Sequence, residues 1–283
     1  MQRGRIATNP AKRIDAPTPG RFAPDLVSVD DARRLIRAAE ADTENGARWM
    51  LAISLGLRQG ERLALGRDRL DLTAHTLKID RELYRLPWQH GCHSEPCGKK
   101  RGADCPARHG GGLFVGDPKS DAGVRTLVMP PQLENAIKRH LRAQDSIRAE
   151  EGEGWTGFTS ANGVELEPVF CQRNGRAIDA RRDHADWKAF LEKAGVPEVR
   201  LHDARHTAAT VLLLMGVDGR VVMDMMGWSQ ASMLKRYQHV IDEMKRDAAE
   251  KMGQALWAPD DEPQPAAPPE VVSMDDYRRR RAR

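Results

Sequence analysis

The stretch from Leu201 to His239 places the strongest constraint on how this chain of 283 residues can fold. It opens with His202 and Arg205, three residues apart, and a helix places residues at this spacing one turn from each other on one face. Both side chains can then point at a single anion. Apolar residues follow at the spacing of a helix packed on a core: Ala208, Val211, Leu212 and Met215.

The rest of this stretch predicts a turn, a short helix and a tyrosine in a fixed order. Gly216 is typical of a helix end, and residues 221–226 are predicted to form a short second helix that stops at Gly227. Trp228 follows directly, and Tyr237 comes nine residues later. The pattern therefore predicts a helical scaffold that carries two cationic side chains, an indole and a phenol.

Further helices are predicted on both sides of the middle of the chain. Ser28 and Asp31 have the spacing of a helix N-terminus and precede an apolar face, and a second helix begins at about residue 45. Residues 131–150 are also amphipathic, and another helix ends at Gly195 before the stretch described above. The chain is thus predicted to be mostly helical.

Arg58 lies just beyond the second predicted helix, within the motif GLRQGE. A lone arginine at this place is most often solvated, but this one precedes a carboxylate three residues later. That carboxylate, Glu61, either orients the Arg58 guanidinium or pairs with Arg62 or Arg67. The sequence leaves this choice open.

Strands are predicted between the helices. Residues 77–80 alternate between apolar and polar side chains, and residues 114–115 and 124–128 flank the turn PKSDAGVR, which suggests a hairpin with Lys119 at its turn. Such a lysine is either a solvated edge charge or a group that reaches a phosphate or donates a proton. The predicted fold class is mainly α with a small antiparallel β-sheet, an α+β fold.

Five motifs now stand in one order along the chain: GLRQGE at 56–61, PKSDAGVRTLVMP at 118–130, HDARH at 202–206, MGW at 226–228 and RYQH at 236–239. Their order and separation resemble the catalytic domain of the tyrosine recombinases, the phage integrase and Xer family. The resemblance covers roughly residues 25 to 256. It implies the DNA breaking-rejoining catalytic-domain fold, and a site-specific recombinase that acts as a homo-tetramer on paired sites in double-stranded DNA.

The resemblance also implies which residues are catalytic. The positions that match the family's motifs are Arg58, Lys119, His202, Arg205, Trp228 and Tyr237. In the family the tyrosine attacks a DNA phosphodiester, forms a 3′-phosphotyrosyl link and frees a 5′-hydroxyl, before strand exchange and religation. The resemblance implies no cofactor for this catalysis.

These residue types suit phosphoryl transfer on chemical grounds. Arg58 and Arg205 can each bind the nonbridging oxygens bidentately without losing a proton. His202 titrates near neutral pH and can donate or shuttle a proton. Trp228 offers an N–H donor that cannot act as a base. Tyr237 has a free pKa of about 10, so a cationic cluster is needed to favour its phenolate.

Residues 87–112 form a Cys/His-rich insertion between the predicted strands. Its composition is too polar for a core of its own. We expect either a flexible loop with incidental thiols or a structural zinc site in which Cys92, Cys97, Cys105 and His109 supply a tetrahedral Cys₃His set. His90 and His93 are alternative ligands. Such a metal would stabilise the loop and take no part in cleavage.

Charge and hydropathy limit the possible partners. The net charge is +4, with 45 basic and 41 acidic residues, so a DNA-binding surface must be local. No stretch has the length and apolarity of a membrane span, and no signal peptide is evident at the start. We expect a cytoplasmic protein without a membrane partner, in which cysteines are free thiols or metal ligands.

The chain is predicted to have three parts. Residues 1–25 are basic and proline-rich and resemble a linker remnant, residues 26–257 form the catalytic domain, and residues 258–283 form a disordered tail. In the family the linker joins an N-terminal core-binding domain, which we expect this chain to lack. The alternative to an active recombinase is therefore a truncated, non-catalytic DNA-binding remnant of an integrase.

Overall fold

The computed structural model describes residues 27–257 except residues 93–95. The predicted linker at 1–25, the predicted tail at 258–283 and the alternative ligand His93 lie outside the described residues. The described residues divide into two compact units, those up to residue 240 and those from residue 241. The candidate catalytic residues all belong to the first unit.

Eight α-helices are present in the described part of the chain. They are α1 (Val29–Ala41), α2 (Gly46–Ser54), α3 (Gln59–Leu63), α4 (Pro131–Glu151), α5 (Ala180–Ala194), α6 (Leu201–Leu214), α7 (Gly219–Met226) and α8 (Gln238–Trp257). The boundaries follow local chemistry, since the Ser28 hydroxyl accepts the backbone N–H of Asp31 at the start of α1 and Gly195 and Gly227 adopt the left-handed conformation at the ends of α5 and α7. No helix in these residues is long and apolar enough to cross a membrane.

The strands form three small antiparallel sheets. They are β1 (Leu70–Asp71), β2 (Thr76–Ile79), β3 (Glu82–Leu86), β4 (Gly112–Gly116), β5 (Arg125–Val128), β6 (Phe158–Thr159) and β7 (Glu165–Leu166). The first sheet has the order β1-β2-β5, and β3 pairs with β4 and β6 with β7. Helices thus dominate a fold with small antiparallel sheets, which confirms the predicted α+β class.

The predicted hairpin around Lys119 is wrong in its pairing. Val115 on β4 pairs with Leu83 on β3, whereas β5 pairs with β2, with Lys78 opposite Thr126. The alternating pattern identified the strands correctly but contains no information about their partners. Lys119 therefore lies in a loop that connects two sheets.

The buried face of α6 also differs from the predicted one. Ala208 is buried, but Val211 and Leu212 are half-buried and Met215 is 74% exposed. Arg205 is instead part of the buried face. The inward direction of α6 is therefore set partly by a charged side chain, which a count of apolar residues does not detect.

A buried ion cluster links α2, α3 and α5. Asp183 lies 3.2 Å from Nη1 of Arg48 and 2.6 Å from Nη2 of Arg62, and all three side chains are at most 1% exposed. Gln59 donates a further hydrogen bond to Asp183. Burial lowers the pKa of Arg62 to about 10, although Asp183 opposes the shift. This cluster holds together the helices on either side of Arg58.

We expect Asp183→Ala to lower the free energy of unfolding by about 3–5 kcal/mol, because the buried guanidinium of Arg62 loses its counterion and that of Arg48 keeps only its pair with Asp186. Urea titration at neutral pH measures this change. The control is Glu150→Ala, whose pair with Arg173 is exposed on both sides; it should leave the transition almost unchanged. Equal effects of the two variants would contradict a structural role for the buried cluster.

Candidate active site

A left-handed turn after α2 places Arg58. Gly56 has a φ of 62°, and a Cβ added there would lie 2.9 Å from the Met226 sulfur, so both the backbone angle and the packing favour glycine. Arg58 then forms the N-cap of α3. Its guanidinium donates to the carbonyl of Gly227 at 3.2 Å. The turn after α2 and the turn after α7 thus meet at Arg58.

Arg205 is fixed between the same two turns. Its Nη1 donates to the carbonyl of Gly56 at 2.6 Å, and its Nη2 donates to the carbonyl of Met226. The side chain is 3% exposed. Burial and the nearby Arg58 lower the pKa of Arg205 to about 9. The two arginines are therefore held side by side by backbone carbonyls.

The carboxylate of Glu61 lies between Arg58 and a third arginine, Arg125. Oε1 of Glu61 accepts from Arg58 Nη1 at 2.6 Å, and Oε2 accepts from Arg125 Nη2 at 2.9 Å. Arg62 and Arg67, the other partners considered for Glu61, pair with Asp183 and Asp145 instead. Glu61 therefore orients Arg58.

Arg125 is a site residue that the sequence did not single out. It is the first residue of β5 and is 9% exposed. Its guanidinium also donates to the carbonyls of Met225 and Gly123. The sequence signal for a buried Arg125 is the alternation along β5, in which Arg125 and Leu127 occupy the buried positions.

Tyr237 ends a 3₁₀ turn at Ala231–Tyr237 and is 1% exposed. Its ring stacks on Trp228, with the centroids 5.5 Å apart, and the Arg205 guanidinium lies 6.0 Å from the Trp228 ring. The Tyr237 hydroxyl is 2.5 Å from Nδ1 of His206. The indole thus lies against both the phenol and the cationic group.

His206 is the last residue of the motif HDARH and was not predicted as a site residue. Burial and the adjacent His202 lower the pKa of His206 to about 4, so its imidazole is neutral at pH 7. Burial raises the pKa of Tyr237 to about 12, although Arg205 and Arg236 oppose the shift. At neutral pH a phenol therefore faces a neutral imidazole, with Nδ1 within hydrogen-bond distance of the hydroxyl.

His202 and Lys119 are both exposed. The His202 ring packs edge-on against His206 at 5.1 Å, and partial desolvation and the charge of Arg205 lower the pKa of His202. Lys119 is exposed in the loop between β4 and β5. This loop passes the site, since a Cβ added at Gly227 would lie 2.8 Å from the carbonyl oxygen of Ala122.

The Cys/His-rich insertion gathers a different ligand set from the predicted one. His90, Cys92, Cys97 and Cys105 each place one ligand atom within 4.8 Å of the others. The structure thus contradicts His109 as the fourth member of the set and brings in His90, one of the alternatives.

The reason lies in the alternation of side chains along a strand. His109 forms an antiparallel bridge with Gln89, and paired residues share a face while neighbours along a strand point to opposite faces. A Cβ added at Gly91 would lie 3.1 Å from the His109 ring, which places His109 on the face of residues 89 and 91. His90 points to the other face, with the cysteines.

Sequence comparison finds relatives of this chain among integrases and tyrosine recombinases. Residues 132–244 match the sequence model of the phage integrase family. An integrase of Saccharopolyspora erythraea is 40% identical over 285 aligned positions, which span 90% of this chain and 63% of that protein. A XerC-like tyrosine recombinase of Caldanaerobacter subterraneus is 28% identical over 89% of this chain and 61% of its own length. The chain thus spans less than two thirds of each relative.

Solved structures share the fold. The Tn1549 transposon integrase in complex with transposon right end DNA superposes with a TM-score of 0.57 at 17% identity, over 86% of this chain and 71% of that one. XerA recombinase superposes with a TM-score of 0.55 at 20% identity, over 83% and 66%. These likenesses confirm the catalytic-domain fold that the motifs predicted.

We expect Glu61→Gln to lower the free energy of unfolding at pH 7 by about 3 kcal/mol, because Arg58 and Arg125 lose a buried counterion. Although burial opposes ionisation, the hydrogen bond and charge of Arg125 and the charge of Arg58 lower the pKa of Glu61. A lowered folded-state pKa means that the stabilisation is complete above the unfolded value of about 4.3 and is lost as the pH falls through the folded value.

Urea titrations of wild type and Glu61→Gln between pH 7 and pH 3 measure this dependence. The difference between the two proteins should stay constant down to about pH 5 and shrink below it. Glu165→Gln, on the exposed side of β7, is the control and should track wild type. A difference in the free energy of unfolding that grows as the pH falls would contradict the pairing of Glu61 with the two arginines.

Proposed function

The chain belongs to the phage integrase family of tyrosine recombinases, and on this premise we propose that it cuts and rejoins double-stranded DNA at specific sites. The observation that supports this most directly is the grouping of Arg58, Arg205 and Tyr237 around two turns. Arg58, Arg125 and Arg205 surround the one carboxylate of Glu61 and leave an excess of positive charge beside a phenol. A phosphodiester is the substrate that this arrangement fits.

Arg58 and Arg205 are proposed to bind the nonbridging oxygens of the scissile phosphate. Negative charge increases on these oxygens when a nucleophile attacks in line, and fixed guanidinium groups stabilise it without reorganising. Arg205 keeps its carbonyl contacts through two nitrogens, and Arg58 is 28% exposed. Arg58 is therefore the more accessible of the two guanidinium groups to incoming DNA.

Tyr237 is the proposed nucleophile and His206 the proposed base. The phenolic oxygen attacks phosphorus while its proton passes to Nδ1 of His206, 2.5 Å away. The bond from phosphorus to the 5′ oxygen breaks, and that oxygen leaves with the electron pair and takes up a proton. The products are a 3′-phosphotyrosyl link and a 5′-hydroxyl, and the reverse reaction rejoins a strand without ATP.

Lys119, His202 and Trp228 are proposed to assist at the phosphate and the leaving group. Lys119 is a suitable donor for the departing 5′ oxygen because its exposed loop can approach bound DNA. His202 can donate to a nonbridging oxygen, and Trp228 positions Tyr237 by stacking and offers its indole N–H. The arginines and Lys119 supply the positive charge that phosphoryl transfer needs, so the proposed chemistry requires no metal.

The remaining elements of the proposal concern the assembly. Strand exchange joins two DNA sites, each with two half-sites, which requires four copies of the nucleophile. We therefore propose a homo-tetramer on paired double-stranded sites, acting in the cytoplasm where it meets DNA. The catalytic domain is proposed to span residues 26–257, flanked by a linker at 1–25 and a tail at 258–283.

The test is a nicked suicide substrate that contains the native flanking site, from which a short product is lost after cleavage so that the covalent adduct accumulates. Wild type should form a protein–DNA adduct on a denaturing gel, and Tyr237→Phe should form none. The matched control is Tyr84→Phe, because Tyr84 on β3 stacks on Phe114 on β4 and the substitution keeps its ring. This variant should form the adduct at the wild-type rate.

An adduct with Tyr237→Phe would contradict the assigned nucleophile. Specific DNA binding by wild type without any adduct, both alone and when fused to a core-binding domain, would contradict the enzymatic function. That second result would leave a DNA-binding remnant of an integrase.

The role of Lys119 has a separate test that uses the leaving group. Lys119→Ala should slow cleavage by about 10²–10⁴-fold, the usual contribution of a general acid. A substrate with sulfur in place of the bridging 5′ oxygen should restore most of the rate, because a thiolate with a pKa of about 8.5 leaves without a proton. Lys78→Ala, on β2, is the control. Equal slowing with both substrates would instead assign Lys119 to phosphate binding.

A further inference from the structure

The insertion between β3 and β4 contains a group of four side chains that the proposed recombination chemistry does not use. Nδ1 of His90 lies 3.4 Å from Sγ of Cys97 and 3.8 Å from Sγ of Cys92, and the sulfurs of Cys92 and Cys105 are 3.8 Å apart. We propose that these four residues form a tetrahedral structural zinc site that stabilises the tip of the β3–β4 hairpin.

Three of the six separations among the four ligand atoms are close to the edges of a zinc-centred tetrahedron, and all six are within 4.8 Å. Zinc binds thiolate sulfur at about 2.3 Å and imidazole nitrogen at about 2.0–2.1 Å, which separates two sulfurs by about 3.8 Å and a sulfur from a nitrogen by about 3.5 Å. The sulfur pair and both His90 separations lie close to these values. A disulfide would need sulfurs about 2.05 Å apart, so the contact between Cys92 and Cys105 is not a disulfide.

The backbone around the cysteines supports bound thiolates. The amide N–H of Lys99 donates to Cys97, and the amides of Ala107 and Gly91 donate to Cys105. In both Cys97 and Cys105 one donor is therefore the residue two positions later, which Gly98 permits after Cys97 through its φ of 67°. Such N–H donors around a ligand sulfur are the outer contacts that metal sites use to fix their ligands.

The frame of the hairpin explains why the ligands meet. The β3–β4 ladder ends at Leu86 opposite Gly112, and an isolated bridge between Gln89 and His109 continues it. The Arg108 guanidinium lies 4.7 Å from the Trp88 ring, and these two residues directly precede the bridged pair. This frame turns His90 toward the cysteines and closes the loop around them.

The loop needs such a centre because it has little core. Among the described residues from 87 to 111, only Cys105 and Gly111 are buried. A segment of this length without buried apolar side chains does not offset its conformational entropy, and a metal with four ligands does so in many small modules. Borderline-soft Zn²⁺ matches a set of three thiolates and one imidazole. The proposed ion therefore stabilises the loop.

The test measures metal on the full chain and does not depend on DNA cleavage. Protein purified without chelator should contain about one zinc ion per chain by mass spectrometry. Cys97→Ser should lose the zinc, whereas Cys171→Ser should keep it, because Cys171 is hydrogen-bonded to Gln144 outside the insertion. His90→Ala should weaken binding, and His109→Ala should not, which separates the two possible histidines. Far-UV circular dichroism checks that each variant is folded.

A second measurement needs no variant. Replacing zinc by Co²⁺ in the wild-type chain should give the intense visible bands of tetrahedral cobalt and a strong thiolate charge-transfer band. A wild-type chain that takes up neither zinc nor cobalt when reduced would overturn the proposal, as would a Cys92–Cys105 disulfide in its place. Loss of metal in Cys171→Ser or His109→Ala but not in Cys97→Ser or His90→Ala would overturn the assigned ligands.

Discussion

The buried carboxylate of Glu61 is the contact on which the cationic side of the site depends. Its carboxylate accepts hydrogen bonds from both Arg58 and Arg125. Arg58 lies at a helix N-terminus, and Arg125 lies on a strand 64 residues after Glu61. Guanidinium groups this close repel one another in a low dielectric. One carboxylate offsets part of that repulsion, so the group is stable without a bound anion and keeps positive charge for the proposed phosphate.

Backbone carbonyls provide the second restraint. Arg205 reaches the carbonyls of Gly56 and Met226, and Arg58 reaches that of Gly227. The last turn of α7 and the turn after α2 thus determine where the guanidinium groups point. Because Trp228 follows Gly227 and stacks on Tyr237, the same turn also places the proposed nucleophile. Two short turns therefore align the cationic groups with the phenol.

The sequence predicted the elements well and their long-range contacts poorly. Helix α1 and its Ser28 cap followed from local spacing, and the motifs identified the arginines and Tyr237 that the structure brings together. The pairing of β5 with β2 was missed because alternation does not identify a partner strand. His90 rather than His109 faces the cysteines for a similar reason, since the register of Gln89 with His109 sets the faces. The contacts of Arg125 with Glu61 and of His206 with Tyr237 join residues that are distant in sequence. A local sequence pattern therefore does not reveal them.

The point at which the Cys/His-rich insertion joins the fold has a consequence for gene evolution. Leu86 and Gly112 are paired neighbours, so the inserted segment leaves and re-enters the fold at one place. Loop-closure entropy rises only slowly with length, and the β2–β5 pairing that aligns Glu61 with Arg125 lies outside the segment. A single insertion or deletion event can therefore lengthen, exchange or remove this appendage while the proposed catalytic group is inherited unchanged, which makes the hairpin tip a natural place for divergence.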